Sequence, residues 1–245
     1  MNSRQKDILQ ILEHEGEAAI KELARRLRVS EMTIHRDVDY LQEQRYVYKK
    51  RGAAVFVESG DRDRSDFYAD EKHAIGVKTA ALLKDGQSII FDNSTTALAC
   101  AKVLDKTHTY TFYSTSIEMA KTLSRYKKSV LYCSGGYFFP ETKGFVGKQA
   151  ENFVASVSAD VCIIGASGIS VEGGITTPYP MHTSLQRAII TSAKTRIVVC
   201  DRSKFDKIAM EKIADLGDID MIVTDSGVSD EIIEKIEKHT TVIRV

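Results

Sequence analysis

Apolar positions in the first sixty residues repeat at helical spacing and then switch to strand-like runs. From Ser3 to Glu15, the residues Ile8, Leu9, Ile11 and Leu12 form an amphipathic stripe that Gly16 ends. Ile20, Leu23, Ala24 and Leu27 follow at i, i+3, i+4 and i+7, a second helix with one face to bury. Arg28-Val29 breaks that pattern, and Ser30 is suited to cap a third helix on which Ile34, Val38 and Leu41 recur. At about 100° per residue, Met32, Thr33, His35, Arg36 and Asp39 point away from that stripe. Tyr46 to Val57 then gives two short β-prone runs around Lys49-Lys50-Arg51-Gly52, with Gly52 available for positive φ.

Two helices joined by a tight turn and followed by a basic hairpin are the pattern of a winged helix-turn-helix. Its second helix enters the major groove, and its hairpin cations meet phosphates or a minor groove. The expected DNA-binding residues are Ser30, Glu31, Met32, Thr33, His35 and Arg36 on the helix and Lys49, Lys50 and Arg51 on the wing. An ordinary αα-hairpin with a solvated face is the plainer alternative. The cations beside the helix favour double-stranded DNA as the partner.

Residues 58–66, with Ser59-Gly60 and alternating Asp and Arg, lack periodicity and read as a linker. A helical pattern returns from Phe67 to Lys84 and stops at Asp85-Gly86. Apolar runs at Ser88–Phe91, Tyr110–Tyr113, Val130–Cys133, Val161–Ile164, Ile197–Cys200, Met221–Thr224 and Thr241–Val245 then alternate with helical segments such as Val146 to Val157. That alternation predicts a mostly parallel sheet covered on both faces. The expectation is therefore two domains: an α+β winged helix-turn-helix over 1–57, a linker over 58–66, and an α/β domain over 67–245.

Composition changes this picture in one respect. Lys plus Arg equals Asp plus Glu at 34 each, and residues 1–58 hold eleven basic against ten acidic side chains. DNA affinity must therefore come from local placement of charge rather than from an overall basic chain. With no signal-peptide pattern at Met1 to Asp7 and no apolar run near the ~18 residues of a membrane helix, a cytoplasmic protein without membrane contact is expected. The cysteines at 100, 133, 162 and 200 form no C-x-x-C pair and read as reduced core thiols. The six His show no metal-ligand spacing, so neither a metal nor a cofactor is expected.

Open α/β sheets bind ligands at the carboxyl ends of their strands. Five such ends are polar and small: Asp92-Asn93-Ser94-Thr95-Thr96, Ser114-Thr115-Ser116, Ser134-Gly135-Gly136, Gly165-Ala166-Ser167-Gly168 and Asp201-Arg202-Ser203-Lys204. A polar loop entering a helix near Thr95 offers amides, hydroxyls and a helix dipole to a phosphate. Gly135 and Gly136 permit close backbone approach, and Lys204 supplies a point charge. Each turn alone is ordinary capping chemistry. Their recurrence predicts one shared effector pocket that takes an anionic small molecule.

Val29-Ser30-Glu31-Met32-Thr33-Ile34-His35-Arg36-Asp37 with the Lys-Arg-Gly wing resembles the DeoR family of bacterial transcription regulators, whose usual form is V-S-x-x-T-I-R-R-D. The resemblance covers nearly the whole chain. Asp92 to Thr96 is similar to that family's D-x-G-T-T, Ser114-Thr115-Ser116 to its T-N-S, Cys133 to Gly136 to its L-x-G-G, and Asp201 to Phe205 to its D-x-S-K-F. It implies a second domain like ribose-phosphate isomerases and CoA-transferases and a phosphorylated sugar as effector. A helix-turn-helix on paired half-sites further predicts a homo-oligomer, dimer or tetramer, and the reader joined to a sensor predicts a repressor of a carbohydrate operon. Four departures stand out. His35 replaces the first Arg, Arg51-Gly52-Ala53 replaces a His-Gly-Gly, Ser94 replaces a Gly, and His182-Thr183-Ser184-Leu185-Gln186-Arg187 stands where the family carries E-x-E-x-K-R.

The competing function is a sugar-phosphate isomerase with an N-terminal interaction domain. Such an enzyme needs a carboxylate base over the sugar carbon. Related isomerases carry acids just past the strand that corresponds to Val161–Ile164, where this chain has Gly165-Ala166-Ser167-Gly168. No catalytic residue is therefore expected.

Overall fold

A computed structural model describes residues 1–44, 46–57 and 67–245, and the expected linker over 58–66 lies outside the described residues. The chain divides into two compact units, 1–70 and 71–245.

The first unit runs α1 (Ser3–Glu15), β1 (Glu17–Ala19), α2 (Ile20–Leu27), α3 (Glu31–Glu43), β2 (Val47–Lys50) and β3 (Ala53–Phe56). Asn2 caps α1 in a capping box with Gln5, and Arg28 in the left-handed region ends α2. Ile8, Leu12, Ile20, Leu23, Ile34, Val38 and Leu41 are fully or nearly fully buried in one cluster, so the stripes read from the sequence do face a common core. A strand not anticipated from the sequence, β1, pairs with β3 to make a three-stranded sheet in the order β1-β3-β2. Three residues are too few to show a period, which hides this strand in the sequence.

The second unit opens on α4 (Ala69–Ala80), which starts in the first unit's last residues and is shorter than the pattern from Phe67 to Lys84 suggested. Phe67 and Tyr68 instead join Val57 in a small apolar cluster, with Tyr48 packed against it and its ring edge-on to Phe67. At the other end the last turn tightens through bonds from Leu82 to Thr79 and from Leu83 to Ala80. The chain continues through β4 (Ser88–Phe91), α5 (Thr95–Lys102), β5 (Thr111–Ser114), α6 (Ile117–Leu123) and β6 (Val130–Cys133). A hairpin of β7 (Tyr137–Phe139) and β8 (Gly144–Val146) precedes α7 (Lys148–Ala155) and β9 (Ala159–Gly165). Next come β10 (Gly168–Ser170), β11 (Gly174–Thr177), α8 (Pro180–Thr191), β12 (Ala193–Val199), β13 (Glu211–Ala214), β14 (Met221–Thr224), α9 (Asp230–Ile236) and β15 (Thr241–Arg244).

Seven strands form one sheet in the order β15-β14-β12-β9-β4-β5-β6, and every pairing is parallel. Alternate residues go to opposite faces. Ile90, Cys162, Ile164, Val198 and Ile222 enter one buried cluster, whereas Ile89, Phe91, Val161, Ile163, Ile197 and Val223 enter the other. Both faces are therefore covered. At one edge, Val130, Tyr132 and Cys133 of β6 are exposed, so Cys133 is not the core thiol expected from its apolar run. The other three thiols are buried, and burial pushes Cys100 and Cys162 up to about 12 and Cys200 well above its usual value. A thiol held protonated in this way is a poor nucleophile.

Candidate functional site

In the first unit, the cap of α3 is a local pair of hydroxyls. Ser30 accepts from the Thr33 amide at 3.2 Å and its Oγ lies 2.8 Å from the Thr33 Oγ1. Met32 is 64% exposed, Glu31 and Arg36 are exposed, and His35 is half-buried. These residues leave one face of α3 open to solvent at its amino end. Asp37, the next residue, plays another part: it is buried and accepts from Arg4 and, at 3.1 Å, from Gln5 Nε2. That contact ties α3 to α1 and fixes the helix that carries the outward residues. The helical stripe alone does not mark this role, although an acid one residue beyond two outward positions is a usable signal.

The wing is a hairpin whose register pairs Lys50 with Ala53, so Arg51 and Gly52 form a two-residue loop. Both have positive φ, 43° and 82°, as a type I′ turn requires. Lys50 and Arg51 are exposed at this tip. Lys49 instead pairs with Asp39 of α3 at 2.5 Å, and its amide donates to Gln42 Oε1 at 2.8 Å. It thus links wing to recognition-type helix rather than projecting as the sequence suggested.

In the second unit the strand order reverses between β4 and β9, where chain progress turns from one sheet edge to the other. Loops leave such a point on diverging paths and open a crevice. Asp92 closes its base. Its carboxylate accepts from the Ser94 amide at 2.9 Å and from the Gly165 amide at 2.9 Å, and it is 1% exposed. Ser94 caps α5 by accepting from the Ala97 amide, which leaves the first two amides, of Thr95 and Thr96, without an intrahelical acceptor. A Cβ on Gly165 would lie 2.3 Å from the Ser94 Cβ, so only glycine fits there.

The β7–β8 hairpin, absent from the sequence reading, lies over this end of the sheet. Gly135 and Gly136 lead into it from β6. The Phe145 amide donates to the Thr115 carbonyl at 2.6 Å, Ser116 bridges to Gly144, and a Cβ on Gly144 would sit 2.4 Å from Asn93 Nδ2. In the hairpin turn, Thr142 Oγ1 lies 3.0 Å from His182 Nε2 on α8. The His182 ring is 3% exposed and edge-on to Phe139 and Tyr179. Asn93, Thr115, Ser116 and His182 are therefore brought together by one hairpin, although the sequence scatters them over ninety residues.

Other expected effector residues have internal roles. Ser114 accepts from the Ser116 amide at 3.1 Å and is fully buried; Ser116 in turn caps α6. Gly168 lies in β10, where a Cβ would meet the Lys207 carbonyl and Thr176 Oγ1 at 2.5 Å. The Ser167 amide donates to the Thr176 carbonyl. Lys204 lies in the loop after β12, half-buried, just beyond Asp201, which accepts from the Ser203 amide at 3.0 Å. Among the described residues no group of three His, Cys, Asp or Glu is arranged to hold a metal. An open cleft of about 200 Å³, bordered by Glu172, Asp206, Glu231 and Lys235, contains none of the expected effector residues. No helix among the described residues is long and apolar enough to cross a membrane.

Comparison with known proteins agrees with both halves. Residues 4–60 match the DeoR-like helix-turn-helix domain and residues 68–226 the DeoR C terminal sensor domain. The transcriptional repressor AccR of Agrobacterium fabrum is 33% identical, over 98% of this chain and 96% of its own length. The HTH-type transcriptional repressor GlcR of Bacillus subtilis is 31% identical, over 89% and 86%. The glycerol-3-phosphate regulon repressor of Haemophilus influenzae is 28% identical, over 90% and 88%. Among solved structures, ribose 5-phosphate isomerase A of Methanocaldococcus jannaschii is similar at a TM-score of 0.42, with 18% identity over 56% of this chain and 55% of that one. With a matched reader, a matched sensor domain and repressors as full-length relatives, the chain belongs to the DeoR family of transcriptional regulators.

Proposed function

We propose that this regulator is a repressor of a carbohydrate operon, released from or fixed on its operator by a phosphorylated sugar. The single observation that carries the sensor half is the switch-point crevice, where the first amides of α5, which have no intrahelical acceptor, stand beside Asn93, Ser94, Thr95 and Thr96. A phosphate there would accept hydrogen bonds from amides that no carbonyl of the helix uses. Ser114, Ser116, Gly135, Gly136, Ser167 and Gly168 shape the walls and hold the loops, and Lys204 adds positive charge at the same end of the sheet. Asp92 acts as an internal brace of the crevice rather than a ligand.

The reader half rests on the exposed amino end of α3 and the tip of the wing. Met32, Thr33, His35 and Arg36 meet base edges in the major groove, Ser30 and Glu31 start that helix, and Lys50 and Arg51 take phosphates. One helix reads only a few base pairs, so two copies on paired half-sites are the working form. An isomerase would need a carboxylate past β9, and Gly165 to Gly168 offer none.

Footprinting on the DNA upstream of the gene cluster that encodes this protein tests the assignment. A protected pair of inverted half-sites, about one or more helical turns apart, supports it. Turnover of a sugar phosphate by the purified protein, without any protected site, overturns it.

A further inference from the structure

A second set of polar groups, on segments that meet at the carboxyl end of the sheet, is left without partners by the fold. Asn93 Nδ2, Thr183 Oγ1, Gln186 Oε1 and Asp201 Oδ2 are all buried and make no hydrogen bond. Thr183, Gln186 and Asp201 are 6%, 8% and 1% exposed. An unpaired buried polar atom costs stability, and these four need a reason.

Their positions give one. Asn93 follows β4 and Asp201 follows β12, and β9 lies between those strands in the sheet. Two strand spacings separate the two ends by about 10 Å, and the intervening β9 end is Gly165-Ala166, with little side chain to fill the gap. Thr183 follows His182 directly and Gln186 lies one turn further along α8. His182 is bonded to Thr142 in the hairpin that presses on Asn93. The four groups thus occupy the two flanks of the crevice and the helix beside it.

We propose that these groups receive the hydroxyl-bearing end of the effector while its phosphate lies on the first turn of α5; this rests on the crevice being the effector site. The set comprises an amide donor, a hydroxyl, an amide acceptor and a carboxylate oxygen, which suits the alternating donors and acceptors of a polyol chain. The α8 members of the set, Thr183 and Gln186, are uncharged, whereas the nearby Arg187 is exposed and bonded to the Lys212 carbonyl and Glu151 is taken up by Ser184. Together with the Asp201 carboxylate they favour a ligand whose only charged group is the phosphate, and disfavour one with a second carboxylate or phosphate at the far end.

Isosteric apolar replacements test this. Gln186→Leu and Thr183→Val, made singly, remove the unpaired atoms while keeping volume, so neither variant should melt below the wild type. Binding is read by calorimetry on the full chain, with inorganic phosphate, glycerol 3-phosphate, glucose 6-phosphate and fructose 6-phosphate as probes. The expected result is that the best sugar phosphate binds the variants at least ten-fold more weakly, while inorganic phosphate binds them as it binds the wild type. Unchanged sugar-phosphate affinity in both folded variants overturns the inference and leaves the effector site standing. Variants that melt well below the wild type show a structural role for these groups and also overturn it. A wild type that binds none of the four probes overturns the effector site and this inference together.

Discussion

The carboxylate of Asp92 accepts the amide of Gly165, 73 residues further along the chain, at 2.9 Å, and it does so at the one place where the sheet reverses its order. The same carboxylate holds the Ser94 amide, so one side chain sets the geometry of the loop that leads into α5. Removing it by Asp92→Ala strands two amides at a buried position. A loss of roughly 2–6 kcal/mol is expected, at about 1–3 kcal/mol per unsatisfied group. Urea unfolding of the full chain measures it, and an unchanged midpoint would show that Asp92 is not the brace.

Gly165→Ala attacks the same crossing sterically. The added Cβ would overlap the Ser94 side chain, the cap of α5. The expected outcome is a destabilised second unit and loss of phosphate binding together, read by thermal melting with and without inorganic phosphate.

Arg51 sits at φ 43° in the wing turn, a conformation that costs a branched or long side chain about 1 kcal/mol and suits asparagine. Arg51→Asn should therefore raise the stability of the first unit slightly while weakening operator binding through the lost cation. The two effects of opposite sign are read by melting and by DNA titration on one protein sample. A variant that binds operator as well as the wild type would remove Arg51 from the interface.

Asp160 accepts from the Ser88 amide and hydroxyl, at 3.0 and 2.7 Å, and from Lys194 at 3.0 Å. These bonds, the Ser88 amide first, hold its carboxyl down at about 2. A depressed carboxyl stabilises the fold at pH values above its unfolded pKa, about 3.9, and that contribution is lost as pH falls through 2. Acid unfolding between about pH 4 and pH 2 should be shallower in Asp160→Asn than in the wild type, measured by circular dichroism. Parallel curves would contradict the assignment.

Arg202 joins Asp225 at 2.9 Å to Glu71 of α4 at 3.0 Å, in the loop that also carries Asp201 and Lys204. Burial works against the guanidinium charge, but the two carboxylates outweigh it and raise its pKa. α4 is the first helix after residues 58–66, so this pair connects the loop after β12 to the entry of the sensor domain. Glu71→Gln should reduce the effect of a sugar phosphate on operator affinity several-fold, with each ligand's separate affinity little changed. Equal coupling in both proteins would exclude this route.

The helix-turn-helix and the seven parallel strands were legible because long runs keep a period: Ile20 to Leu27 at 3.6, and strands such as Val161–Ile164 as unbroken apolar blocks. The β7–β8 hairpin was not, because Tyr137-Phe138-Phe139 and Gly144-Phe145-Val146 are three residues each and take their order from tertiary bonds to Thr115 and Ser116. The polar strand ends were legible as chemistry, but not their division of labour. Sequence places Asp92 and Ser114 at a rim; only the fold shows that both use their side chains on internal amides. Likewise the departure at His182 to Gln186 was visible as a change of residue type, while the unpaired atoms of Thr183 and Gln186 were not.

The central claim is that one chain couples a DNA reader to a phosphate-binding crevice. Fluorescence anisotropy of a labelled operator fragment, titrated with the wild type, Arg36→Ala and Thr95→Val/Thr96→Val proteins in the presence and absence of the four phosphate probes, tests it most directly. Tight, salt-sensitive binding by the wild type that a sugar phosphate alters is expected, with at least ten-fold weaker binding by Arg36→Ala and normal operator binding with a weakened sugar-phosphate response by the threonine variant, which loses both hydroxyls but keeps the α5 amides. Operator affinity that is unchanged in Arg36→Ala, or that no sugar phosphate alters in the wild type, would contradict it.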